Sequence, residues 1–352
     1  MENKKKKVCV LFGGNSPEYK VSLESAYSII TNISDEYEIV LIGITKDGNW
    51  YRYYGSVENI INDTWYSKDV CTSVVISPNV SDHGIIEYSD NEIKKTYIDV
   101  FFPILHGKNG EDGTVQGLIE LSGVPLVGCK TLSSALCMDK YIQHELVIKK
   151  GLNAARGILI HDYEDYNDYK YELNLIGFPL FVKPLRAGSS FGISKVNSYD
   201  ELEDAVNNAF KYDSRVIIEE NIEGIEVGCA VIGNEELTIG AVDEIILKNK
   251  DGFFGYDDKY DNRTSELNCP ATHFSDDKKE EIKAFALEVY RILDCSGFAR
   301  IDLFVKDNGD IYLNEVNTIP GFTVHSRFPA MLSCVGLTYA EIVDKLIKLE
   351  CK

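Results

Sequence analysis

Phe298-Ala-Arg300-Ile-Asp302-Leu-Phe-Val-Lys306 and Ile311-Tyr-Leu-Asn-Glu315-Val-Asn317 are two strand-like runs joined by Asp307-Asn308-Gly309-Asp310. Asn-Gly between such runs signals a hairpin, because the favoured two-residue turn needs positive φ at both central positions. With Asn308 and Gly309 as those two residues, Asp302 faces Glu315 and Arg300 faces Asn317. All four share one face, since residues two apart in a strand point the same way. Facing carboxylates repel, and an ordinary sheet gains nothing from them. A divalent cation relieves the repulsion: Asp302, Glu315 and Asn317 offer the oxygen donors that Mg²⁺ takes when it shares its shell with nucleotide phosphates. The alternatives are an edge face on which Arg300 neutralises the acids, and a register slipped by one residue. A calcium loop is excluded, because Gly309 at its sixth position puts Phe304 and Lys306 where ligands belong.

Upstream, Val182-Lys183-Pro184-Leu185-Arg186-Ala187-Gly188-Ser189-Ser190-Phe191-Gly192 reads as a strand ending in Lys, then a loop whose small residues let backbone N–H groups approach an anion. It is neither a Walker loop nor a G-x-G-x-x-G turn, and by itself it is equally an ordinary turn. Lys183 before it, Lys140 at a helix start and the acid pair downstream add weight. Together they describe a nucleotide triphosphate held between two layers.

The rest of the chain supports an α/β fold. Residues 8–12 form a buried strand, Val21–Ile30 a helix and Glu38–Thr45 a second strand, with Tyr97–Leu105 a further strand before the loop His106–Gly113. Ser198-Tyr199-Asp200-Glu201 has the spacing of a capping box. Ile282, Phe285, Ala286 and Val289 make the apolar stripe of an amphipathic helix. The polar stretch 249–269 is long enough to suspect a lid. With 352 residues, 44% of them apolar, the chain is long enough for two or three domains with real cores. A net charge of −20 argues against general attraction to nucleic acid or anionic lipid, so bound phosphate must meet a local basic site. No apolar run reaches membrane-span length, and the basic start followed by a five-residue apolar run reads as a tail and first strand rather than a signal peptide. Nine scattered cysteines without a C-x-x-C pair fit neither a disulfide framework nor a zinc ribbon; a reducing cytoplasm suits them.

Taken in order, Gly13-Gly14-Asn15-Ser16-Pro17-Glu18, His106 to Gly113, Met138-Asp139-Lys140, Lys183 to Gly192, Lys259-Tyr260, Arg300-Ile301-Asp302 and Asn314 to Gly321 resemble the D-alanine:D-alanine ligase family of ATP-grasp enzymes over nearly the whole chain. The resemblance implies an α/β (α+β) three-domain ATP-grasp fold. An open α/β N-terminal domain (1–128) would bind the first D-alanine. A central domain (129–215) carries the phosphate loop, and a C-terminal domain (216–352) carries the lid 249–269 and the metal site, the two sandwiching ATP. It implies ligation through an acyl phosphate with ATP and two Mg²⁺, Mn²⁺ being able to substitute, and a cytoplasmic homodimer.

By motif position, the resemblance assigns Lys140 and Lys183 to the ATP phosphates under the closing Ser189-Ser190 loop. Glu219, with the backbone around Glu220 and Ile222, would read adenine, and Glu226 would hold ribose. Glu18 would bind the ammonium of the first D-alanine, near His106, with Tyr260 joining Glu18 and Ser189 in a hydrogen-bonded set. Arg300 would stabilise the transferring phosphoryl group, and Gly321 would offer a backbone N–H to the tetrahedral oxyanion. Asp302, Glu315 and Asn317 take the metal role already read from the register. His325 is read as a packing or carboxylate-orienting residue.

Three second substrates suit this family: D-alanine, D-serine and D-lactate. The intact Lys259-Tyr260 lid pair argues against D-lactate, and Ser326 matches the residue that holds the second carboxylate. Arg327 is the departure, because ordinary family members carry an apolar residue there and the D-alanyl-D-serine ligases of vancomycin resistance carry Arg. Beside a hydroxymethyl, Arg can donate a charge-assisted hydrogen bond worth roughly 1.5–3 kcal/mol. The expectation is a D-alanine:D-serine ligase making modified peptidoglycan precursors. The alternatives are an ordinary D-alanine:D-alanine ligase, with Arg327 paired to a lid acid such as Asp257 or Asp258 or facing solvent, another ATP-grasp ligase, or a catalytically silent ATP binder.

Overall fold

Val8 to Phe12 carry no exposed surface because strands flank them on both sides: Lys6–Gly13 pairs parallel with Tyr37–Ile44 and with Val100–Pro103. A computed structural model describes residues 5–89, 92–186, 192–247 and 265–351. Trp50–Tyr53, Cys71–Ile76, Gly84–Tyr88 and Ile93–Tyr97 extend this first sheet antiparallel to seven strands. The expected single strand Tyr97–Leu105 is divided. Ile98 donates its N–H to His83 O and Asp99 to Lys7 O, a change of partner that ends one strand at Tyr97 and starts the next at Val100 on the opposite edge. The loops Gly13–Glu18 and Ile104–Gly113 thus follow the parallel strands at their carboxyl ends, where open α/β sheets place their sites.

The second sheet has four antiparallel strands, in the order Ser194–Val196, Leu180–Pro184, Arg215–Glu220, Gly157–His161. Arg215–Glu220 pairs along its length with Leu180–Pro184, so this unit extends to Glu220 and a boundary at 215 would cut its strand. The expected capping box before the Leu202–Ala209 helix is not made. Glu201 accepts from Asn197 N–H at 2.8 Å, but Ser198 makes no side-chain cap bond and residues 199–201 form a 3₁₀ turn. The full reciprocal box sits instead at Thr338 and Glu341, opening the Tyr339–Glu350 helix.

In the third sheet, strands Asp243–Leu247, Ile225–Ile232, Phe298–Val305 and Ile311–Asn317 lie side by side, flanked by Ser265–Asn268 and Asn153–Ala154. The last residues of the expected 249–269 loop are therefore a strand, with Ile245 opposite Leu267 and Glu244 opposite Asn268. Ile282, Ala286 and Val289 of the Asp276–Ile292 helix are buried against this sheet, with Phe285 partly buried, as the stripe predicts. Phe298, Phe322 and Phe328 join the same core as Val10 and Phe102 of the first sheet, so the two sheets are fastened together beside the site. Among the described residues no helix is long and apolar enough to cross a membrane.

The hairpin places Asp302 opposite Glu315 and Arg300 opposite Asn317 by two offsets that cancel. Lys306 N–H donates to Asp310 O, so the loop holds three residues, Asp307, Asn308 and Gly309, with only Gly309 at positive φ (+88°). That loop puts Leu303 opposite Leu313, one step from the two-residue-turn register. A bulge at Asn314 then restores the register at Glu315.

Candidate active site

The bulge docks a helix. Asn314 O accepts from His144 Nε2 at 2.7 Å, and the Val316 N–H donates to Gln143 Oε1 at 3.1 Å. Both partners lie on the Lys140–Lys149 helix, capped by Asp139, whose side chain accepts from Ile142 N–H and from Arg186. Lys140, the first residue of that helix, stands with Nζ 3.4 Å from Glu315 Oε2. Across the hairpin Asp302 is 2% exposed and takes Arg300 Nε at 2.8 Å, Arg300 Nη2 at 2.6 Å and Asn317 Nδ2 at 2.9 Å. Burial disfavours the Arg300 charge, but Asp302 outweighs it and raises the guanidinium pKa.

Arg300 thus neutralises Asp302, as the plainer reading of this face supposed, and the donor set still suits a hard cation. Among the described residues no group of three or more His, Cys, Asp or Glu side chains gathers as a metal cage. Two carboxylates and one side-chain amide are what a cation that completes its shell with phosphate oxygens and water needs.

Lys183, two residues beyond Phe181, reaches diagonally across the second sheet to an ion pair with Glu219 Oε1. Glu219 is 3% exposed, and its Oε2 has no hydrogen-bond partner among the described residues. The atom facing it at 4.0 Å is His144 Nδ1, also unpartnered. Since His144 Nε2–H donates to Asn314 O, Nδ1 of the neutral ring is an acceptor and the two atoms cannot bond. Burial keeps the His144 pKa low despite the Glu219 charge. Glu220 is engaged by Arg156: its N–H donates to Arg156 O, and its carboxylate takes the Arg156 N–H and guanidinium.

At the carboxyl end of the first sheet, Glu18 opens the Tyr19–Ile30 helix. Gly107 passes so close that a Cβ there would lie 2.8 Å from Glu18 Oε2, and its φ of +72° suits glycine. His106 is buried; its Nδ1–H donates to Ile319 O at 2.9 Å, which ties this loop to the end of the hairpin. Burial pulls the His106 pKa down against the opposing charge of Glu18. Glu111 accepts from Gly107 N–H at 2.8 Å and Ile319 N–H at 3.2 Å, and burial together with the nearby Glu18 pushes its pKa up to about 8.

Past Ile319 the chain makes the tight turn Gly321–Ser326, where Ser326 Oγ takes the Thr323 N–H at 3.0 Å and lies 2.9 Å from Thr323 Oγ1. His325 is exposed because this turn points it outward, which removes the packing half of its reading and leaves the carboxylate-orienting half. Arg327 follows as the first residue of the Arg327–Ser333 helix. Among the described residues it meets sheet acids: Nε donates to Asp243 Oδ2 at 2.7 Å and Nη2 to Asp243 Oδ1 at 2.8 Å, a bidentate pair, while the lid acids Asp257 and Asp258 lie outside the described residues. Its Nη1 donates to Glu226 Oε1 at 3.2 Å and lies 3.6 Å from Asp302 Oδ1. Glu226, expected on ribose, therefore belongs to the Arg327 cluster here. Gly228 makes room for the pair, since a Cβ there would stand 2.6 Å from both Arg327 Nη2 and Asp243 Oδ1. Beside Asp243, burial pushes the Glu244 pKa up, yet hydrogen bonds from Thr272 and His273 outweigh it and hold it at about 2.

One face thus gathers the acid pair, two lysines, Arg300 and the Arg327–Asp243 pair at the joint of the sheets. The N-terminal model of the D-ala D-ala ligase family matches residues 7–129 and the C-terminal model residues 147–348. The chain belongs to the D-ala D-ala ligase family. That ATP-dependent ligase family has the mixed α/β ATP-grasp architecture seen in the three sheets. The vancomycin C-type resistance protein VanC1 of Enterococcus gallinarum is 46% identical over 349 residues, 98% of each chain. A D-alanine--D-alanine ligase of Caldicellulosiruptor bescii is 43% identical over 351 residues, covering 98% of this chain and 95% of the relative. Among solved structures, the VanG D-Ala:D-Ser ligase from Enterococcus faecalis superposes with a TM-score of 0.91 at 46% identity, covering 98% of this chain and 99% of that one.

Within this ligase scaffold the structure brings Glu18, His106, Lys140, Lys183, Glu219, Glu226, Arg300, Asp302, Glu315, Asn317, Gly321, Ser326 and Arg327 onto the loops and sheet faces just described, while Glu220 is turned to Arg156. Ser189, Ser190, Lys259 and Tyr260 lie outside the described residues. Sequence reasoning missed Asp243, Gly228, Glu111 and His144. For Asp243 a signal existed: Asp243-Glu244 interrupts an apolar strand run, which is costly unless both acids have partners.

Proposed function

We propose that this ligase joins D-alanine to D-serine by way of D-alanyl phosphate, making D-alanyl-D-serine for modified peptidoglycan precursors with release of ADP and phosphate. The observation that carries the reading is the Arg327–Asp243 pair. A hydroxyl both donates and accepts, and a guanidinium beside a carboxylate offers one partner of each kind. A methyl group uses neither. The similarity to VanC1 and to the VanG D-Ala:D-Ser ligase supports the same reading.

In this mechanism Glu18 holds the ammonium of the first D-alanine so that its carboxylate points at the γ-phosphate of ATP. Lys140 and Lys183 bind the phosphates and Arg300 meets the charge on the transferring group, a step that depends on positioning and cations more than on covalent help. Glu219 and the backbone around Glu220 and Ile222 read the base, and Glu226 reaches the ribose when Arg327 turns to substrate. Asp302, Glu315 and Asn317 would hold Mg²⁺, which when bound screens phosphate charge. The amine of D-serine attacks the acyl carbon, Gly321 N–H receives the developing oxyanion, and phosphate leaves. Ser326 holds the second carboxylate, and the Ser189-Ser190 and Lys259-Tyr260 segments exclude the water that would hydrolyse the acyl phosphate. We place this chemistry in a three-domain cytoplasmic homodimer.

One observation favours a second reading, an ordinary D-alanine:D-alanine ligase: Asp243 and Glu226 take three of Arg327's N–H directions. The deciding experiment is Mg²⁺- and ATP-dependent phosphate release with D-alanine alone and with added D-serine, D-lactate or L-serine, products being identified by mass. Preferential D-alanyl-D-serine supports the proposal. Mainly D-alanyl-D-alanine in the mixture selects the second reading, and no phosphate release under any condition overturns both.

A further inference from the structure

Nine free cysteines are spread through the chain, and two of them meet near its surface although 65 residues separate them: Cys269 Sγ lies 3.3 Å from Cys334 Sγ. Cys334 is exposed and Cys269 half-buried, whereas Cys137 and Cys295, at 3.8 Å, and Cys129 beside Cys295 are buried. The positions of these two sulfurs matter. Cys334 caps the helix that Arg327 begins, its N–H donating to Ala330 O at 3.0 Å. Cys269 directly follows the Ser265–Asn268 strand, which pairs with the strand carrying Asp243. A bond between the sulfurs would tie the helix that Arg327 begins to the strand lying beside the one that carries Asp243.

We propose that Cys269 and Cys334 are a reversible redox site, closed to a disulfide by peroxide and reopened by a dithiol, through which oxidation reaches the Arg327–Asp243 pair. The exposed Cys334 sulfur attacks a peroxide oxygen, the O–O bond breaks, and Cys334 sulfenic acid forms with release of water. Cys269 sulfur then attacks the sulfenic sulfur, the S–O bond breaks, the S–S bond forms and a second water leaves. Two thiols are oxidised by two electrons in all, and the peroxide takes up those electrons and both protons. Burial pushes the Cys269 thiol up, which suits it to resolving rather than meeting the oxidant first. A disulfide needs its sulfurs at about 2.05 Å, so the pair must close by roughly an ångström. The Arg327–Ser333 helix is seven residues long and transmits part of that movement to Arg327. Misplacement of a positioned group by an ångström can cost about a hundredfold, and for a movement shared along a helix about tenfold is expected.

The site itself stands apart from the substrate reading, whereas its coupling to turnover rests on Arg327 facing the second amino acid. The test uses the full-length protein, reduced, freed of reductant and treated with hydrogen peroxide. Peptide mapping without reductant should yield a Cys269–Cys334 linked peptide two hydrogen atoms lighter than its parts, lost on adding dithiothreitol and absent from Cys334→Ser. In Cys269→Ser, dimedone should trap the sulfenic acid on Cys334. Failure to find the linked peptide, or a stable peroxide-derived acid on Cys334 beside a reduced Cys269 in the wild-type chain, overturns the site. In the bridged enzyme kcat/KM for the second amino acid should fall about tenfold with the KM for ATP kept, while peroxide-treated Cys334→Ser is unchanged. A bridged enzyme with unaltered kinetics overturns the coupling alone, and a product assay favouring D-alanyl-D-alanine bears on the substrate reading without touching the peptide map.

Discussion

Gly228→Ala tests the second-substrate pocket through a residue that touches no substrate. Gly228 sits in the Ile225–Ile232 strand opposite Asp243 on one side and Asp302 on the other, with no positive φ, so the backbone accepts alanine. The obstacle is steric. The added Cβ would stand 2.6 Å from Arg327 Nη2, 2.6 Å from Asp243 Oδ1 and 2.8 Å from Met331 Cε. Met331 can swing aside, but the guanidinium and carboxylate hold each other at 2.7 and 2.8 Å. Reaching ordinary contact near 3.4 Å requires them to give by roughly 0.8 Å, which would stretch the Nη2 bond to about 3.6 Å, beyond hydrogen-bond range. Losing one charge-assisted bond costs about 1.5–3 kcal/mol, or roughly 10- to 150-fold in preference for D-serine over D-alanine. Overpacking adds about 1–3 kcal/mol to the stability cost. The assay is competition between D-serine and D-alanine at fixed Mg²⁺ and ATP, with the dipeptides quantified by mass and the KM for ATP measured alongside. A folded Gly228→Ala enzyme whose product ratio stays within about twofold of wild type would refute the reasoning that this pair selects the substrate.

Other perturbations have defined outcomes. Lys183→Met strands the buried Glu219 carboxylate, costing about 3–5 kcal/mol and lowering the unfolding midpoint; adding Glu219→Gln should restore most of that midpoint but not ATP turnover. Glu315→Gln should cut kcat by on the order of a hundredfold or more and raise the Mg²⁺ concentration for half-maximal phosphate release, because charge beside the phosphates is worth several kcal/mol in the transition state. An unchanged Mg²⁺ midpoint would remove Glu315 from the metal role. Glu111, pushed up to about 8, keeps its proton in the folded protein over a range where the unfolded chain releases it above about 4.5. Its contribution is therefore full at acid pH and lost as pH rises through about 8, so Glu111→Gln should flatten that part of a plot of unfolding midpoint against pH. Buried His106, with its pKa lowered, works in the opposite sense: its contribution is full above about 6.5 and lost as pH falls, and His106→Gln should remove that acid-side loss.

Much of the site was legible from local pattern. Period-two alternation placed Arg300, Asp302, Glu315 and Asn317 on one face, as the pairing of the two strands bears out. The register came out right although the turn holds three residues rather than two, because the Asn314 bulge cancels the offset, and a bulge leaves little trace in a local pattern. The same limit explains the divided strand after Tyr97 and the unmade capping box at Ser198, each decided by a hydrogen-bond partner remote in the chain or by a competing local turn.

Sequence alone determined the class of chemistry: which side chains carry charge and which family's ordered motifs the chain bears. Tertiary structure decided who partners whom. Asp243 is 84 residues from Arg327, His144 is 170 from Asn314 and Cys269 is 65 from Cys334, so no local periodicity could pair them. Each pairing arises where sheet, helix and turn are packed together by a shared apolar core. Packing brings distant charges into a low-dielectric space where only a bonded partner makes their burial tolerable.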